Sequence, residues 1–300
     1  MKRLLKWIGM GLGGLILLVL AAAAVMYFQG GAAIDEPLTL DDEPLAVSAD
    51  SAMLARGEYL VNTHACRDCH GAELAGQVFA EAPPFLAVAS NLTAGDGGIG
   101  GTYTEADWER AIRHGVGANG RRLIIMPSAL YNALSDDEVS AMIAYLKTVP
   151  PVDNALPQTE VRPMGRILTA TGAFYTADTP IDHTKAHTAV APPHAATEEY
   201  GRYRVQTICT YCHGQDLHGG DEPVEPGTPL PPDLFSVTAW SLDQFKTAMR
   251  TGVTPSGHEL NPMIMPWTAF QHMDDAEIEA IYKDLQTLEP ADAAAQTAGV

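Results

Sequence analysis

The clearest chemical signal in the sequence is the spacing of its four cysteines. They occupy two CxxCH motifs, at residues 66–70 and 209–213, and both motifs are followed by glycine. Two thiols three residues apart project from one turn, and an imidazole follows directly. This spacing allows both sulfurs to bond the vinyl groups of one haem while the histidine ligates its iron. The predicted attachment residues are Cys66, Cys69, Cys209 and Cys212, and the predicted proximal iron ligands are His70 and His213.

Paired cysteines have other uses, which the sequence favours less. A thioredoxin-like redox pair requires a βαβ context, which the sequence does not show. A Cys₄ zinc site would leave both histidines unused. Structural disulfides within each pair are the simplest alternative. Because a histidine follows each pair, covalent haem is the favoured interpretation.

The two motifs belong to a longer internal repeat. The motifs lie 143 residues apart, and the segment from Trp108 matches that from Phe245 at a separation of 137. Segment 135–149 matches segment 274–288 at a separation of 139. Separations that differ only by small loop changes are typical of a duplicated domain. We therefore predict two related domains, residues 53–150 and 198–290.

Each copy also contains a methionine that precedes a proline, at equivalent points of the repeat. A thioether is a soft ligand that favours ferrous iron, so Met126 and Met265 are the predicted distal ligands. In the second copy Met263 and His258 lie in the same loop. Met265 is preferred to Met263 because it is the residue that aligns with Met126.

The elements that must position these residues are predicted to be helices. A short helix is expected before each motif, near residues 53–62 and 197–207. Later helices begin with capping-box patterns. No segment shows sustained strand alternation, so the predicted fold class is all-α, with long loops. The patterns pair Thr104 with Asp107, Ser241 with Gln244, Ser135 with Glu138, and Asp274 with Glu277.

Two further segments lie outside the predicted domains. Residues 151–197 are rich in proline and lack a clear period, which predicts an irregular strap or linker. At this length the strap is able to fold back over one of the domains. Residues 291–300 are expected to form a flexible tail.

The N-terminal residues predict a membrane-spanning segment and export of the rest of the chain. Residues 7–28 are uncharged, and as a helix they would span ~33 Å, compared with a hydrocarbon core of ~30 Å. All nearby cations precede this run, so residues 1–6 are expected to remain cytoplasmic and the rest to be exported. A cleaved signal peptide is the alternative, since Ala21 to Ala24 supply small residues. Residues 29–52 are acidic and are predicted to tether the first domain to the cell membrane.

The charge balance excludes one class of partner. The chain has 18 basic and 37 acidic residues, a net charge of −19. Nucleic-acid binding requires a basic surface, so nucleic acid is not an expected partner. A hydrophobic content of 46 % excludes wholesale disorder.

These features resemble the class I c-type cytochromes, in particular membrane-anchored dihaem forms, and the cytochrome c subunits of membrane-bound dehydrogenases. The stretches that match are residues 56–60, 66–70, 91–93, 98–100, 126–127 and 145–146. The resemblance implies two tandem helical domains, each around one covalently bound haem c. It implies crossing terminal helices and a distal ligand on a loop. It also implies that a proline carbonyl holds each proximal histidine, from Pro83 or Pro84 and from Pro231 or Pro232.

With two ligands predicted for each iron, neither has an open position for substrate. The expected function is electron transfer by a single-pass membrane protein with periplasmic haem domains, and not catalysis. The expected redox partners are a dehydrogenase, another cytochrome or a terminal oxidase. One alternative is the electron-transfer subunit of a membrane dehydrogenase complex. A dihaem peroxidase is a less favoured alternative, because it needs one displaceable ligand.

Some polar residues have no repeat partner, and their expected roles are modest. The segment Asn91-Leu92-Thr93 fits a glycosylation sequon, but a loop-capping role is favoured. Seven histidines are expected on the surface or in loops, namely His64, His114, His183, His187, His194, His218 and His272.

Overall fold

The computed structural model describes residues 2–41, 45–188, 190–221 and 228–291. The predicted tail lies outside these residues except for Ala291. The chain begins with one long helix, α1 (Lys2–Asp35), and continues into two similar helical units joined by the strap. Unit 1, residues 51–149, contains α2 (Ser51–Thr63), α3 (Cys66–His70), α4 (Glu105–His114), α5 (Ser128–Tyr131) and α6 (Asp136–Leu146). Unit 2, residues 197–288, contains α8 (Glu198–Ile208), α9 (Thr210–His213), α10 (Leu242–Thr251), α11 (Trp267–Phe270) and α12 (Asp275–Leu285).

The first and last helices of each unit cross at a glycine. In unit 1, Gly57 of α2 lies against the backbone of Ala141 in α6, and in unit 2, Gly201 of α8 lies against Ala280 in α12. A Cβ atom at Gly57 would lie 2.0 Å from the Ala141 carbonyl oxygen, and one at Gly201 would lie 1.9 Å from that of Ala280. Only glycine therefore allows the helices to approach this closely. In each unit the CxxCH motif directly follows the first helix of this crossed pair.

Two of the four predicted capping boxes are confirmed. Thr104 and Ser241 each accept a hydrogen bond from the N3 backbone, and the N3 side chain in turn accepts from the cap backbone. At α6 the prediction is wrong, because the Ser135 side chain makes no cap bond and its hydroxyl donates to Asp137 at 2.5 Å. At α12, Asp274 accepts from the Glu277 backbone, but the Glu277 carboxylate faces the interior.

The prediction of an all-α fold is wrong in one region. Strands β1 (Gln77–Ala82) and β2 (Phe85–Ala89) form an antiparallel hairpin, and β3 (Glu160–Val161) from the strap pairs with β2. The hairpin lies on the surface of unit 1, and side chains on both of its faces are partly exposed. The sequence therefore lacks the alternation that a half-buried strand produces, and the pairing was not predicted.

The strap folds back over unit 1, which its length allows, and it is not wholly irregular. Asn91 donates to the Val152 carbonyl at 2.8 Å, and further along the strap the Thr188 carbonyl accepts from the backbone of Asp136 at 2.9 Å. Between these contacts lies helix α7 (Pro163–Ala170), which the sequence analysis missed. Its eight residues are too few to establish a helical period without the neighbour against which α7 packs.

That neighbour is the end of α1, which extends beyond the predicted boundary at Phe28. Gly30 lies against the backbone of Arg166 in α7, and the Arg166 guanidinium pairs with Asp35 at 2.5 Å. The segment that follows also lies on unit 1, where Leu38 donates its backbone N–H to the Gly120 carbonyl at 3.0 Å. The first part of the predicted tether is therefore helical and docked. Within the described residues, α1 is the helix long and apolar enough to cross a membrane.

We expect Gly57→Ala to lower the free energy of unfolding by about 1–3 kcal/mol, because the added methyl group forces α2 away from α6. Thermal and chemical denaturation followed by circular dichroism measures the change. Gly101→Ala is the matched control, since the nearest atom to its new Cβ would lie 3.7 Å away. Equal losses in the two variants would contradict this account of the helix crossing.

Candidate functional site

Each CxxCH motif forms a single helical turn directly after the first helix of its unit. In unit 1 the turn begins after Ala65, whose φ of 58° changes the chain direction, and it ends at Gly71 with a φ of 80°. In unit 2 the matching turn ends at Gly214 with a φ of 81°. The two thiols and the imidazole of each motif thus project from one short segment that ends at a glycine.

All four cysteines are free thiols in the structure. Burial raises the pKa of Cys66 to about 12 and that of Cys209 to about 12. A raised pKa keeps these thiols protonated, which is unfavourable for redox exchange because that reaction requires the thiolate. Among the described residues, no group of three or more His, Cys, Asp or Glu side chains is arranged to hold a metal ion. The zinc and disulfide alternatives therefore gain no support from the structure.

The proximal histidines are held by backbone carbonyls. His70 Nδ1 lies 2.8 Å from the Ser90 carbonyl, and His213 Nδ1 lies 2.9 Å from that of Pro232. A proton on Nδ1 that is donated to a carbonyl leaves Nε2 as the ligating atom. Burial lowers the pKa of both histidines, which favours the neutral form that a metal requires.

The expected proline carbonyl is thus present in unit 2 but not in unit 1. Pro83 and Pro84 instead form the turn between β1 and β2, where the Pro84 carbonyl accepts from the backbone of Arg162. Ser90 and Pro232 occupy equivalent places, since each lies two residues before a leucine that donates its backbone N–H back to the loop behind the motif. Any residue can supply a backbone carbonyl, so the sequence does not identify the residue that does so.

The two predicted distal methionines are partly buried and pack against the hydrophobic cores of their units. Met126 packs against the cluster that also contacts Cys66, and Met265 packs against the cluster that contacts Cys209. Each is followed by a proline that begins a short helix, α5 or α11. By contrast, Met263 is 61 % exposed and His258 is exposed. The fold places Met265, and neither of these alternatives, against the core.

Unit 1 also contains a buried donor that fits a haem. Trp108 is 2 % exposed, packs in the same core as Met126, and its Nε1 atom has no hydrogen-bond partner among the described residues. An unpaired buried N–H costs about 1–3 kcal/mol. A haem carries carboxylate groups that accept such a bond. In unit 2 the aligned residue is Phe245, which offers no donor.

The two motifs lie on facing sides of the contact between the units. Helix α5, which follows Met126, contacts α8 and the motif helix α9. Reciprocally, α11, which follows Met265, contacts α2, and Thr268 of α11 lies 3.3 Å from Asp68 in the motif helix α3. Each distal loop of one unit is therefore next to the motif of the other.

Two of the histidines expected on the surface or in loops are buried. The expectation is wrong for His114, which lies in α4, whereas His64 lies in the turn after α2. His114 is 4 % exposed and lies 3.0 Å from His183 of the strap, Nδ1 to Nδ1. His64 is 3 % exposed, and its Nδ1 lies 2.9 Å from the Leu60 carbonyl. The spacing of His64 four residues after Leu60 continues the buried face of α2, which is a signal the sequence analysis did not use. Asn91 is 1 % exposed and caps its own loop as favoured, which excludes glycosylation there.

Comparison with known proteins identifies the family of the first unit. Residues 52–146 match the family described as cytochrome C oxidase, cbb3-type, subunit III. Residues 52–146 therefore form a cytochrome c domain.

Curated relatives extend the similarity to most of the chain. It is 27 % identical over 278 residues to the fructose dehydrogenase cytochrome subunit of Gluconobacter japonicus, covering 82 % of this chain and 54 % of the relative. It is 25 % identical over 271 residues to the alcohol dehydrogenase (quinone) cytochrome c subunit of Gluconacetobacter polyoxogenes. This match covers 81 % of this chain and 57 % of the relative. The chain thus spans about half the length of these dehydrogenase subunits. The chain is 26 % identical over 308 residues to a diheme cytochrome c-type protein of Cereibacter sphaeroides. This match covers 92 % of this chain and 98 % of the relative. The chain carries covalently bound haem c.

We expect part of the stability of the folded protein to be lost as the pH falls from about 6.5 to about 3. Burial, aided by the charge of Arg204, lowers the pKa of His64 from 6.5 to about 3. The folded state therefore favours neutral His64. The contribution of His64 to the free energy of unfolding is fully present above pH 6.5 and decreases as the pH falls from 6.5 to about 3. Chemical denaturation of the wild type and His64→Asn at several pH values tests this. The difference in unfolding free energy should narrow at low pH, and parallel profiles would contradict the assignment.

Proposed function

We propose that this chain is a membrane-anchored, two-haem electron carrier that serves as the cytochrome subunit of a membrane-bound dehydrogenase. The observation that carries the proposal is the repeated site. Each unit holds a CxxCH turn, a histidine oriented by a carbonyl, and a core-facing methionine before a proline. The same set of contacts twice in one chain supports one haem in each of the domains 53–150 and 198–290.

The residues that would hold each haem follow from this geometry. Cys66 and Cys69 would attach the first group, and His70 and Met126 would ligate its iron. In the second domain the matching residues are Cys209, Cys212, His213 and Met265. When bound, the haem supplies one-electron redox chemistry.

The surrounding residues favour electron transfer over substrate chemistry. The carbonyl bonds hold each imidazole neutral and fixed in orientation, so the iron ligand does not need to rearrange. Met126 and Met265 would supply thioether ligands to the iron, and such a ligand raises the reduction potential. Met126 and Met265 each pack against the apolar core of their unit, which limits the contact of this side of the site with water. A peroxidase would instead need one iron with a displaceable ligand.

Helix α1 supplies the membrane anchor in this proposal. Its apolar length suits a bilayer, and Lys2, Arg3 and Lys6 before it favour a cytoplasmic N-terminus. The haem units would then lie on the periplasmic side. Because α7 holds the end of α1, unit 1 lies close to the membrane surface.

The partner is proposed from the relatives. Several are named as cytochrome subunits of dehydrogenases, which supports a dehydrogenase as the electron donor. The dihaem relative, of which 98 % is covered, supports a second candidate, a self-standing dihaem carrier that passes electrons to another cytochrome or an oxidase. The chemistry at the haems is the same in both cases, and only the partner differs.

We expect a pyridine haemochrome assay on protein matured in a competent host to give two haems per chain. Replacing Cys209 and Cys212 by alanine should leave one haem per chain. Peptide mapping should locate this remaining haem in the first domain. Because a haem supplies much of the core of a domain of this size, the yield of folded protein should fall as well. A value of zero or one for the wild type would refute the two-haem proposal.

We expect Met126→Ala to lower the reduction potential of one haem and to open its iron to carbon monoxide, because the thioether that stabilises ferrous iron is lost. Met265→Ala should do the same for the other haem. Redox titration and absorbance spectroscopy measure both effects. Met263→Ala is the control, since this side chain is exposed, and it should change neither potential. A ligand-binding change in Met263→Ala instead of Met265→Ala would reverse the assignment.

We expect the full-length chain, extracted in mild detergent from its natural membrane, to co-purify with a dehydrogenase subunit in a fixed ratio. Substrate-dependent reduction of the haems would then identify the donor. Recovery of the chain alone, still reducible by a soluble cytochrome, would favour the self-standing carrier. Peroxide turnover by the partly reduced protein would contradict both.

A further inference from the structure

Two tyrosines connect the helical units in a reciprocal manner. Tyr59 of unit 1 donates its hydroxyl proton to Glu277 of unit 2 at 2.6 Å, and Tyr203 of unit 2 donates to Glu138 of unit 1 at 2.6 Å. The tyrosines are equivalent in the repeat, since each lies two residues after the glycine of its helix crossing. The glutamates are equivalent as well, since they are separated by the repeat distance of 139 residues.

The same hydroxyl groups also accept hydrogen bonds from the opposite unit. The backbone N–H of Asp274 donates to Tyr59 at 3.0 Å, and that of Ser135 donates to Tyr203 at 2.9 Å. Asp274 and Ser135 are the N-cap residues of α12 and α6. Each tyrosine therefore satisfies a backbone donor at the start of the other unit's last helix, where free N–H groups need a partner.

A buried arginine lies between these two contacts. Arg204 is fully buried, with Nε 2.8 Å from Glu277 and Nη1 3.6 Å from Glu138. Burial alone would lower the pKa of Arg204, but the two carboxylates raise it above its usual value. From unit 1, Arg56 also pairs with Glu138. Two guanidinium groups thus balance two carboxylates, as a buried ionic network requires.

The network is joined directly to the segments that carry the CxxCH motifs. Arg204 lies 3.3 Å from His64 Nε2, and His64 is two residues before Cys66. The hydroxyl of Tyr131, in the helix after Met126, donates to the His64 carbonyl at 2.6 Å. A rotation of one unit relative to the other would therefore move one motif helix with respect to the other.

We propose that the two tyrosine–glutamate contacts, here called the tyrosine clasp, fix the relative position of the haem-binding units and so set the rate of electron transfer between their haems. Tyr59 and Tyr203 are positioning residues, which touch neither thiol nor iron ligand. The inference rests on the proposed function, because it requires one haem in each unit. Electron tunnelling decreases steeply with distance, so a small opening of the contact slows it.

The test compares the holoprotein with the double variant Tyr59→Phe/Tyr203→Phe and with Tyr282→Phe. Phenylalanine keeps the ring and removes only the hydroxyl group. Tyr282 is the matched control, because its hydroxyl donates to the Trp240 carbonyl at 2.8 Å within unit 2. In the double variant, hydrogen exchange at the amides of Ser135 and Asp274 should accelerate about tenfold or more.

The electron-transfer readout is the rate of equilibration between the haems after rapid reduction of one of them. It should fall several-fold in the double variant, while haem content and both midpoint potentials remain as in the wild type. Tyr282→Phe should change neither the rate nor the two amides. The single variants, Tyr59→Phe and Tyr203→Phe, should each slow the equilibration rate by less than the double variant. Comparing the single and double variants measures whether the two contacts act independently.

An unchanged equilibration rate in the double variant, with faster exchange of the two amides, would overturn the proposal, because the contact would open without affecting the haems. An equal slowing in Tyr282→Phe would also overturn it, since the effect would then follow from losing any tyrosine hydroxyl. A wild-type chain with fewer than two haems would refute the proposed function itself, and the haem assay detects this before any rate is measured.

Discussion

The close crossing of the first and last helices in each unit is the constraint on which the other features depend. At Gly57 and Gly201 the helices meet backbone to backbone. This contact places α3 and α9, with their thiols and histidines, at one end of each helix pair. It also brings the distal loops to the core, because α5 and α11 lead directly into the last helices. A bulkier residue at either crossing would displace the whole site together.

The duplicated helices were predictable because the repeat appears in residue types that the fold constrains strongly. The CxxCH turns, the Met-Pro pairs and the caps at Thr104 and Ser241 depend on local chemistry, which a short window of sequence reveals. The sheet and α7 were not predictable in the same way, because each exists only through a distant partner. Strand β3 pairs with β2 across about 75 residues of chain, and α7 packs on α1.

The buried polar residues show a second limit of local patterns. Glu138 and Glu277 fit capping boxes in the sequence, but both face the contact between units and pair with arginine. A capping box and a buried ion pair use the same residue types, and only the position of the other unit distinguishes them. The two copies have also diverged at aligned buried positions. Leu60 corresponds to Arg204, and Trp108 to Phe245, so the two sites differ in charge and in hydrogen-bond donors.

The continuous helix from Lys2 to Asp35, clamped by Arg166, has a mechanical consequence. A disordered linker after a membrane helix would let units 1 and 2 take up many orientations above the lipid surface, so that they could reach partners in many directions. Here the last turns of α1 instead pack against α7 at Gly30, and Leu38, which follows α1, bonds to Gly120 of unit 1. With α1 in the bilayer, as proposed, these contacts would hold unit 1 at a set height and tilt above the lipid surface. A redox partner would then have to present its own redox centre at that height, and encounters would depend on lateral diffusion in the membrane.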